Sequence, residues 1–306
     1  MSGHLDTGES DGDGFRVETP ATSPEEVRRR HEANRSAWNE GATQYAKELT
    51  SSRDFLLAGK SNVHPVERRN LARYGPLAQW CRTAIHLQCA GGRDTLSLAN
   101  EGAHRVIGVD ISDLMVENAR ELARLTGMEA TFHRCDVLEA PRELDGTADL
   151  VYTGRGALCW LHDLDAWAAV VHRLLRPGGV LSLFDGHPLQ ALFREDLPRL
   201  EIADGARYFR YAVSDKGWCE QYIGKIDGME ANEESRKYEH NWTLAEIVQA
   251  VVDAGLVVDL LGEHPEDFWD AFPALPAAER ERIPNTFSLC ARRPAAASLG
   301  DMARGR

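Results

Sequence analysis

The groups with the clearest chemical use stand in residues 84–99, AIHLQCAGGRDTLSLA, and shortly after them. A short apolar run ends in a turn of small residues, Cys89, Ala90, Gly91 and Gly92, and an amphipathic stretch starts near Arg93. Glycines let the backbone take turn conformations closed to other residues and leave room for a ligand to approach. A helix opening at that turn presents unpaired N–H groups, which suit a carboxylate or another anion. Asp110 closes the next apolar run, HRVIGVD, where a carboxylate can accept both hydroxyls of an adenosine ribose. Strand, glycine turn, helix, strand and acid make a nucleoside-binding half-site, and Asp136 ends the run after that.

Other residues offer acid–base or charge chemistry. His64, His187 and His240 are candidate bases, since imidazole titrates near working pH. His187 follows the fifth apolar run, and His240 sits in YEHNW. Tyr222 stands in an aromatic-rich segment and is a further catalytic candidate. Arg155, directly after the fourth run, is placed to pair a ligand carboxylate or to brace a loop. No metal site is expected: the acids are spread out and no His/Asp pair sits at ligand spacing.

A β-α-β rhythm positions these groups. Runs at 84–87, 105–110, 130–135, 148–153 and 180–184 read as strands. Helices separate them near 94–101, 113–125 (capped by Ser112) and 163–175, the last stopped by Pro177, Gly178 and Gly179. The alternation implies a parallel sheet with right-handed crossovers, whose carboxyl edge binds ligands and gathers Gly92, Asp110 and Asp136. Upstream, Ser23, Pro24, Glu25 and Glu26 open a helix reaching about Leu49, with Trp38 and Tyr45 on one face. Residues 50–64 read as a connector and 65–81 as a second helix.

From 189 to 241 the rhythm breaks. Tyr208, Phe209, Tyr211, Trp218, Tyr222 and Tyr238 crowd this segment, and ARYFRYAV and GWCEQYIGKI predict antiparallel strands of a small added sheet. An insert there overhangs the carboxyl edge and reads as a substrate cover. Thr243 caps a later helix that ends at Gly255, strands follow at 256–261 and 286–291, and the loop with Phe268 and Trp269 offers another wall.

The chain has 306 residues, enough for one large domain with extensions, and a formal net charge of −13. That charge argues against a nucleic-acid surface, which needs a basic field. Six cysteines are scattered with no C-x-x-C, so neither a zinc site nor a disulfide framework is indicated. No apolar run reaches spanning length and no signal peptide is evident, so no membrane partner and a cytoplasmic location are expected. Residues 1–22 read as a disordered leader and 294–306 as a disordered tail.

The glycine turn and its flanks resemble the first motifs of class I S-adenosylmethionine-dependent methyltransferases, whose usual form is h-h-D-h-G-x-G-x-G. More narrowly, HLQC, GRDTLSLA and the later GALCWLHDL resemble bacterial small-molecule methyltransferases related to the ubiquinone and menaquinone type. His86 stands where that pattern has an acid, and Gln88 and Ala90 where it has glycines, while Gly92 keeps its place. The resemblance implies an α/β, Rossmann-like seven-stranded sheet with its last strand antiparallel, an N-terminal helical lid (23–81), a core (82–188 and 243–293) and the insert (189–242). It implies S-adenosyl-L-methionine as cofactor and transfer of a methyl group to a small-molecule acceptor, with the aromatics favouring an aromatic or heteroaromatic natural product of secondary metabolism. The cofactor contacts it implies are Tyr45, His64, Gln88, Ala90, Gly91, Gly92, Asp94, Asp110, Ile111, Asp136, Val137, Thr153 and Arg155. Asp136 and the Val137 N–H take the adenine, and Gln88 or Asp94 stands in for the missing acid. A non-catalytic regulatory protein that binds the same cofactor is the alternative, and an NAD-dependent oxidoreductase a weaker one, because the turn lacks G-x-G-x-x-G. A homodimer is left open.

Overall fold

The computed structural model describes residues 15–220 and 222–295. In chain order the elements are β1 (Arg16–Glu18), α1 (Pro24–Lys47), α2 (Leu49–Leu57), α3 (Pro65–Leu71), α4 (Leu77–Trp80), β2 (Thr83–Leu87), α5 (Arg93–Asn100), β3 (Arg105–Asp110), α6 (Asp113–Thr126) and β4 (Ala130–Arg134). They continue with β5 (Ala148–Gly154), α7 (Leu164–Leu174), β6 (Leu175–Gly186), β7 (Tyr211–Asp215), β8 (Lys237–Asn241), α8 (Leu244–Asp253), β9 (Val257–His264), α9 (Ala277–Arg280) and β10 (Thr286–Arg292).

Seven strands form one sheet in the order β4-β3-β2-β5-β6-β10-β9. Neighbours from β4 to β6 are parallel, and β10 runs antiparallel to both β6 and β9. This is the expected Rossmann-like methyltransferase sheet. Alternating side chains feed two layers, as the two-residue strand period requires. Ile85, Leu87, Ile107 and Val109 pack with Trp167, Val171, Ile247 and Val251 of α7 and α8. Ala84 and Val106 pack on the other face with Leu96, Leu98, Val116 and Leu122 of α5 and α6.

Four local expectations are corrected. Residues 50–64 are not all connector, because Leu49–Leu57 continues as a helix with Ser52 and Leu56 buried. The second helix does not run from 65 to 81: Gly75 takes φ 91 ahead of Pro76 and splits it into α3 and α4. The expected leader contains a strand, since Arg16–Glu18 pairs with β7; residues 1–14, and the tail from 296, lie outside the described residues. Finally, β7 finds its partner in Lys237–Asn241 rather than in GWCEQYIGKI, giving a three-stranded sheet β1-β7-β8. Lys237 is buried there because Asp215 and the Gly217 carbonyl receive its ammonium group. Among the described residues no helix is long and apolar enough to cross a membrane.

Candidate functional site

The chain leaves β2 through a turn under strain. Gln88 and Ala90 adopt φ 57 and 44, and Gly92 adopts 79. The left-handed region costs a non-glycine residue roughly 1–2 kcal/mol, so two of the three residues in it lack the glycine that would relieve that cost. Gly91, expected to share the turn's special conformation, has no positive φ and serves by its size: a Cβ there would lie 3.1 Å from the Tyr45 ring. At Gly92 a Cβ would meet the Ala119 Cβ at 2.7 Å. The turn is tied down by Asp110, whose carboxylate accepts the Ala90 N–H at 2.8 Å and the Ser112 N–H at 2.9 Å. One carboxylate therefore joins the glycine turn to the start of α6.

These groups open on a cavity of about 340 Å³ at the carboxyl ends of β2, β3, β4 and β5. Asp110, Asp136, Asp94 and Arg155 are on its wall, with Ile111 and Val137 beside them. Asp136 caps the turn after β4, accepting the Leu138 N–H at 2.9 Å. Burial pushes the Asp110 carboxyl up to about 6. The Gln88 amide donates to the Ala157 carbonyl at 2.7 Å, while its Oε1 is buried without a hydrogen-bond partner.

Arg155, at φ 57, is held in a half-buried polar cluster. Its guanidinium pairs with Asp94 at 2.5 Å and donates to the Asn62 carbonyl at 3.0 Å and the Tyr152 hydroxyl at 3.2 Å. Burial would raise the Asp94 carboxyl, but Arg155 overrides it and holds that group below its ordinary value. His86 lies in the same wall, buried against Thr95 Oγ1 at 2.9 Å, and burial drives its pKa down to about 4. The residue standing in the acid's usual position is thus a neutral imidazole.

The opposite wall is aromatic and comes from α1, from the turn Leu158–Trp160 and from the insert. Trp38 and Trp160 meet edge to face at 5.3 Å, and Trp38 and Tyr222 at 6.0 Å. Tyr45 and Tyr222 touch through their hydroxyls at 3.0 Å.

Several expected site residues are elsewhere. His64 does not line the cavity: its Nδ1 accepts the Val66 N–H to cap α3, and its ring stacks on Phe184 at 4.8 Å. Thr153 is fully buried within β5. His187 caps the turn after β6, bonds Glu263 at 2.9 Å and faces a smaller cavity of about 70 Å³ lined by Trp242, Phe268 and Trp269. His240 stacks flat on Trp242 at 3.6 Å, with its pKa lowered to about 4 by burial. Neither candidate base reaches the larger cavity. Among the described residues no three His, Cys, Asp or Glu side chains gather as a metal set.

Sequence reading missed His31 and Asn34, both buried on α1 and both on the cavity wall. Their spacing puts them on the helix face marked by Trp38 and Tyr45, and that spacing is the signal that could have found them. Trp160 was also passed over, although it sits in the GALCWLHDL stretch.

Residues 84–179 match the family described as methyltransferase domain. The chain is 36% identical over 137 residues to an uncharacterised 37.1 kDa protein in transposon TN4556 of Streptomyces fradiae, covering 44% of this chain and 37% of that protein. It is 31% identical over 136 residues to an uncharacterised methyltransferase of Synechocystis, covering 43% and 57%. The matched stretch thus spans less than two thirds of either relative. In fold it is similar to an S-adenosylmethionine-dependent methyltransferase from Mesorhizobium loti, with a TM-score of 0.52 and 22% identity over 74% of this chain and 98% of that one. A second such structure, from Listeria monocytogenes, gives 0.50 and 16% over 74% and 97%.

Proposed function

We propose, from the premise that this chain carries a class I S-adenosylmethionine-dependent methyltransferase domain with S-adenosyl-L-methionine as its cofactor, that it methylates a small aromatic or heteroaromatic acceptor. The observation that carries this reading is one cavity with a glycine turn and two strand-end carboxylates on one side and Trp38, Trp160 and Tyr222 on the other. The cofactor supplies a methyl group on a sulfonium, an excellent leaving group. The residues on the first side fit it: Asp110 and Asp136 each keep free lone pairs, Gln88 Oε1 is an acceptor still unmatched, and Gly91 lets the Tyr45 ring close on the turn.

In this reading Asp110 accepts the ribose hydroxyls and Asp136 the adenine amino group, with the Val137 N–H beside it. Asp94, Arg155 and Gln88 receive the amino-acid end. Residues 23–81 act as the lid, 82–188 and 243–293 as the core and 189–242 as the acceptor cover. The chain's contribution to the reaction is alignment and exclusion of water. Tyr45 and Tyr222 stay protonated, since burial raises both phenols, to about 12 for Tyr45 and well above its ordinary value for Tyr222. They orient the acceptor as hydrogen-bond donors and do not serve as bases.

The test is a binding and turnover pair. Calorimetry with S-adenosylhomocysteine is expected to show binding and NAD none. A methyl-labelled donor offered with phenols and nitrogen heterocycles is expected to yield labelled small molecules. Binding without turnover on any acceptor class would favour a regulatory protein, and absence of binding would remove the reading.

A further inference from the structure

His31 joins α1 to the adenine end of the cavity. Its Nε2 accepts the backbone N–H of His162 at 3.1 Å, so that nitrogen carries no proton. The ring proton therefore sits on Nδ1, where it is donated to Asp136 Oδ2 at 2.6 Å. The other carboxylate oxygen accepts the Leu138 N–H. His31 is 4% exposed, so its ring is shielded from water, while Asp136, 15% exposed, still faces the cavity. Two donors arriving from different elements fix the rotation of the Asp136 carboxylate and leave each oxygen one lone pair.

The helix that brings His31 is itself pinned. Three residues on, Asn34 donates to the Tyr238 carbonyl at 2.9 Å and accepts the Tyr238 N–H at 2.7 Å, joining α1 to β8. Further along, the Asn39 side-chain carbonyl accepts from Ser112 Oγ at 2.7 Å and from the Leu114 N–H at 3.3 Å, at the start of α6. Tyr45, fourteen positions and roughly 21 Å along the helix from His31, covers Gly91. So α1 spans the cavity from the Asp136 end to the glycine turn.

We infer that His31 is a positioning residue for nucleobase recognition: by locking the Asp136 carboxylate as an oriented, acceptor-only group, it makes the cavity select a 6-amino purine over a 6-oxo purine. This rests on the assignment of Asp136 to the adenine. An amino group donates to the free lone pairs of the carboxylate, whereas a 6-oxo group meets it lone pair to lone pair. A carboxylate free to rotate would discriminate less, because it could turn aside or admit a bridging water.

Calorimetry on the full chain with S-adenosylhomocysteine and its inosine counterpart tests this. Wild type is expected to bind the adenosine form at least about tenfold tighter, and His31→Phe, which keeps the ring and removes both nitrogens, to lower that ratio by about tenfold. His31→Gln, able to accept from His162 and donate to Asp136 at once, is expected to restore the preference. Asn39→Ala, which loosens the same helix elsewhere, should weaken both ligands alike and keep the ratio. Equal losses for the two ligands in His31→Phe would overturn the inference and leave His31 as packing. If His31→Phe does not fold, a ratio in His31→Gln that differs from wild type by tenfold or more overturns it, and a retained ratio supports it. Wild type that binds both ligands equally well would defeat the Asp136 assignment as well, while leaving S-adenosylhomocysteine binding intact.

Discussion

Tyr45 from α1 and Tyr222 from the insert meet hydroxyl to hydroxyl at 3.0 Å over the glycine turn. Both tyrosines are half-buried and both phenols protonated, so a single proton lies between the two oxygens and the second hydroxyl proton is free to be donated elsewhere. The contact closes the cavity between segments 177 residues apart in sequence. Beside it, Gly41 lets the insert approach the helix: a Cβ there would meet Ile223 Cδ1 at 2.7 Å.

The first prediction follows from that contact. Tyr45→Phe and Tyr222→Phe each remove one hydroxyl, and the double variant removes the bond without leaving either oxygen alone. A double-mutant cycle by chemical denaturation is expected to give a coupling of about 0.5–1.5 kcal/mol. Strictly additive single effects would show that the two hydroxyls do not hold the cavity shut.

Asp110 gives a pH prediction. Burial lifts its carboxyl to about 6, against the N–H groups of Ser112, Ala90 and Ile111 that favour ionisation. A folded-state pKa above the unfolded one means that its stabilising contribution is complete below about pH 4 and is lost as pH rises through about 6. Ligand affinity should run the other way, because ribose hydroxyls donate best to the ionised form. S-adenosylhomocysteine, whose own charge is constant there, is expected to bind more tightly at pH 7.5 than at pH 5. Asp110→Ala should flatten that dependence and cost about 1.5–3 kcal/mol for each charge-assisted bond lost. Calorimetry at the two pH values reads both effects, and unchanged affinity in the variant would remove Asp110 from the site.

Some of this was legible in the residues and some was not, for physical reasons. Arg105–Asp110 was found with its bounds, because a buried parallel strand is a continuous apolar run with turn residues on either side. The antiparallel closing pair followed from the resemblance and is present. The insert was misread because its ladder is held by long-range partners: Lys237–Asn241 is polar, and Lys237 is buried because Asp215 opposite it and the Gly217 carbonyl receive its ammonium group. His64 was assigned to the site as a cofactor contact by the resemblance and as a candidate base by residue type. The signal for its actual role lies in the sequence, since Pro65 and Glu67 complete a capping box around it. The His31–Asp136 bond joins residues 105 apart, and no local pattern encodes such a pair.

The glycine turn yields a contrast among single substitutions. Gly92→Ala combines a left-handed φ with a 2.7 Å clash against the Ala119 Cβ and is expected to destabilise by about 2–4 kcal/mol. Gly127→Ala also sits at positive φ, but nothing lies within 4 Å, so about 1 kcal/mol is expected. Ala90→Gly relieves strain at φ 44 and should be neutral to mildly stabilising, the relief offsetting the added chain entropy. Urea denaturation ranks the three, and equal costs for Gly92→Ala and Gly127→Ala would show that packing at Ala119 yields freely.

The last prediction separates charge from shape at Arg155. Its guanidinium is paired with Asp94 at 2.5 Å and lies 4.0 Å from the buried Glu67. Burial raises the Glu67 carboxyl even with that cation present, whereas Arg155 keeps the Asp94 carboxyl low. Arg155→Met keeps the apolar stem and strands both acids in a water-poor wall, which should cost about 3–5 kcal/mol at neutral pH. In wild type the Asp94 contribution is present above its unfolded pKa and is lost as pH falls through the lower folded value. In the variant the sign reverses: with no cation nearby, burial raises both acids, and stability is regained as pH falls and they take up protons. Thermal melts of both proteins from pH 8 to pH 4 are therefore expected to converge toward the acid end. A constant gap across that range would mean that Arg155 acts through packing and its left-handed backbone alone.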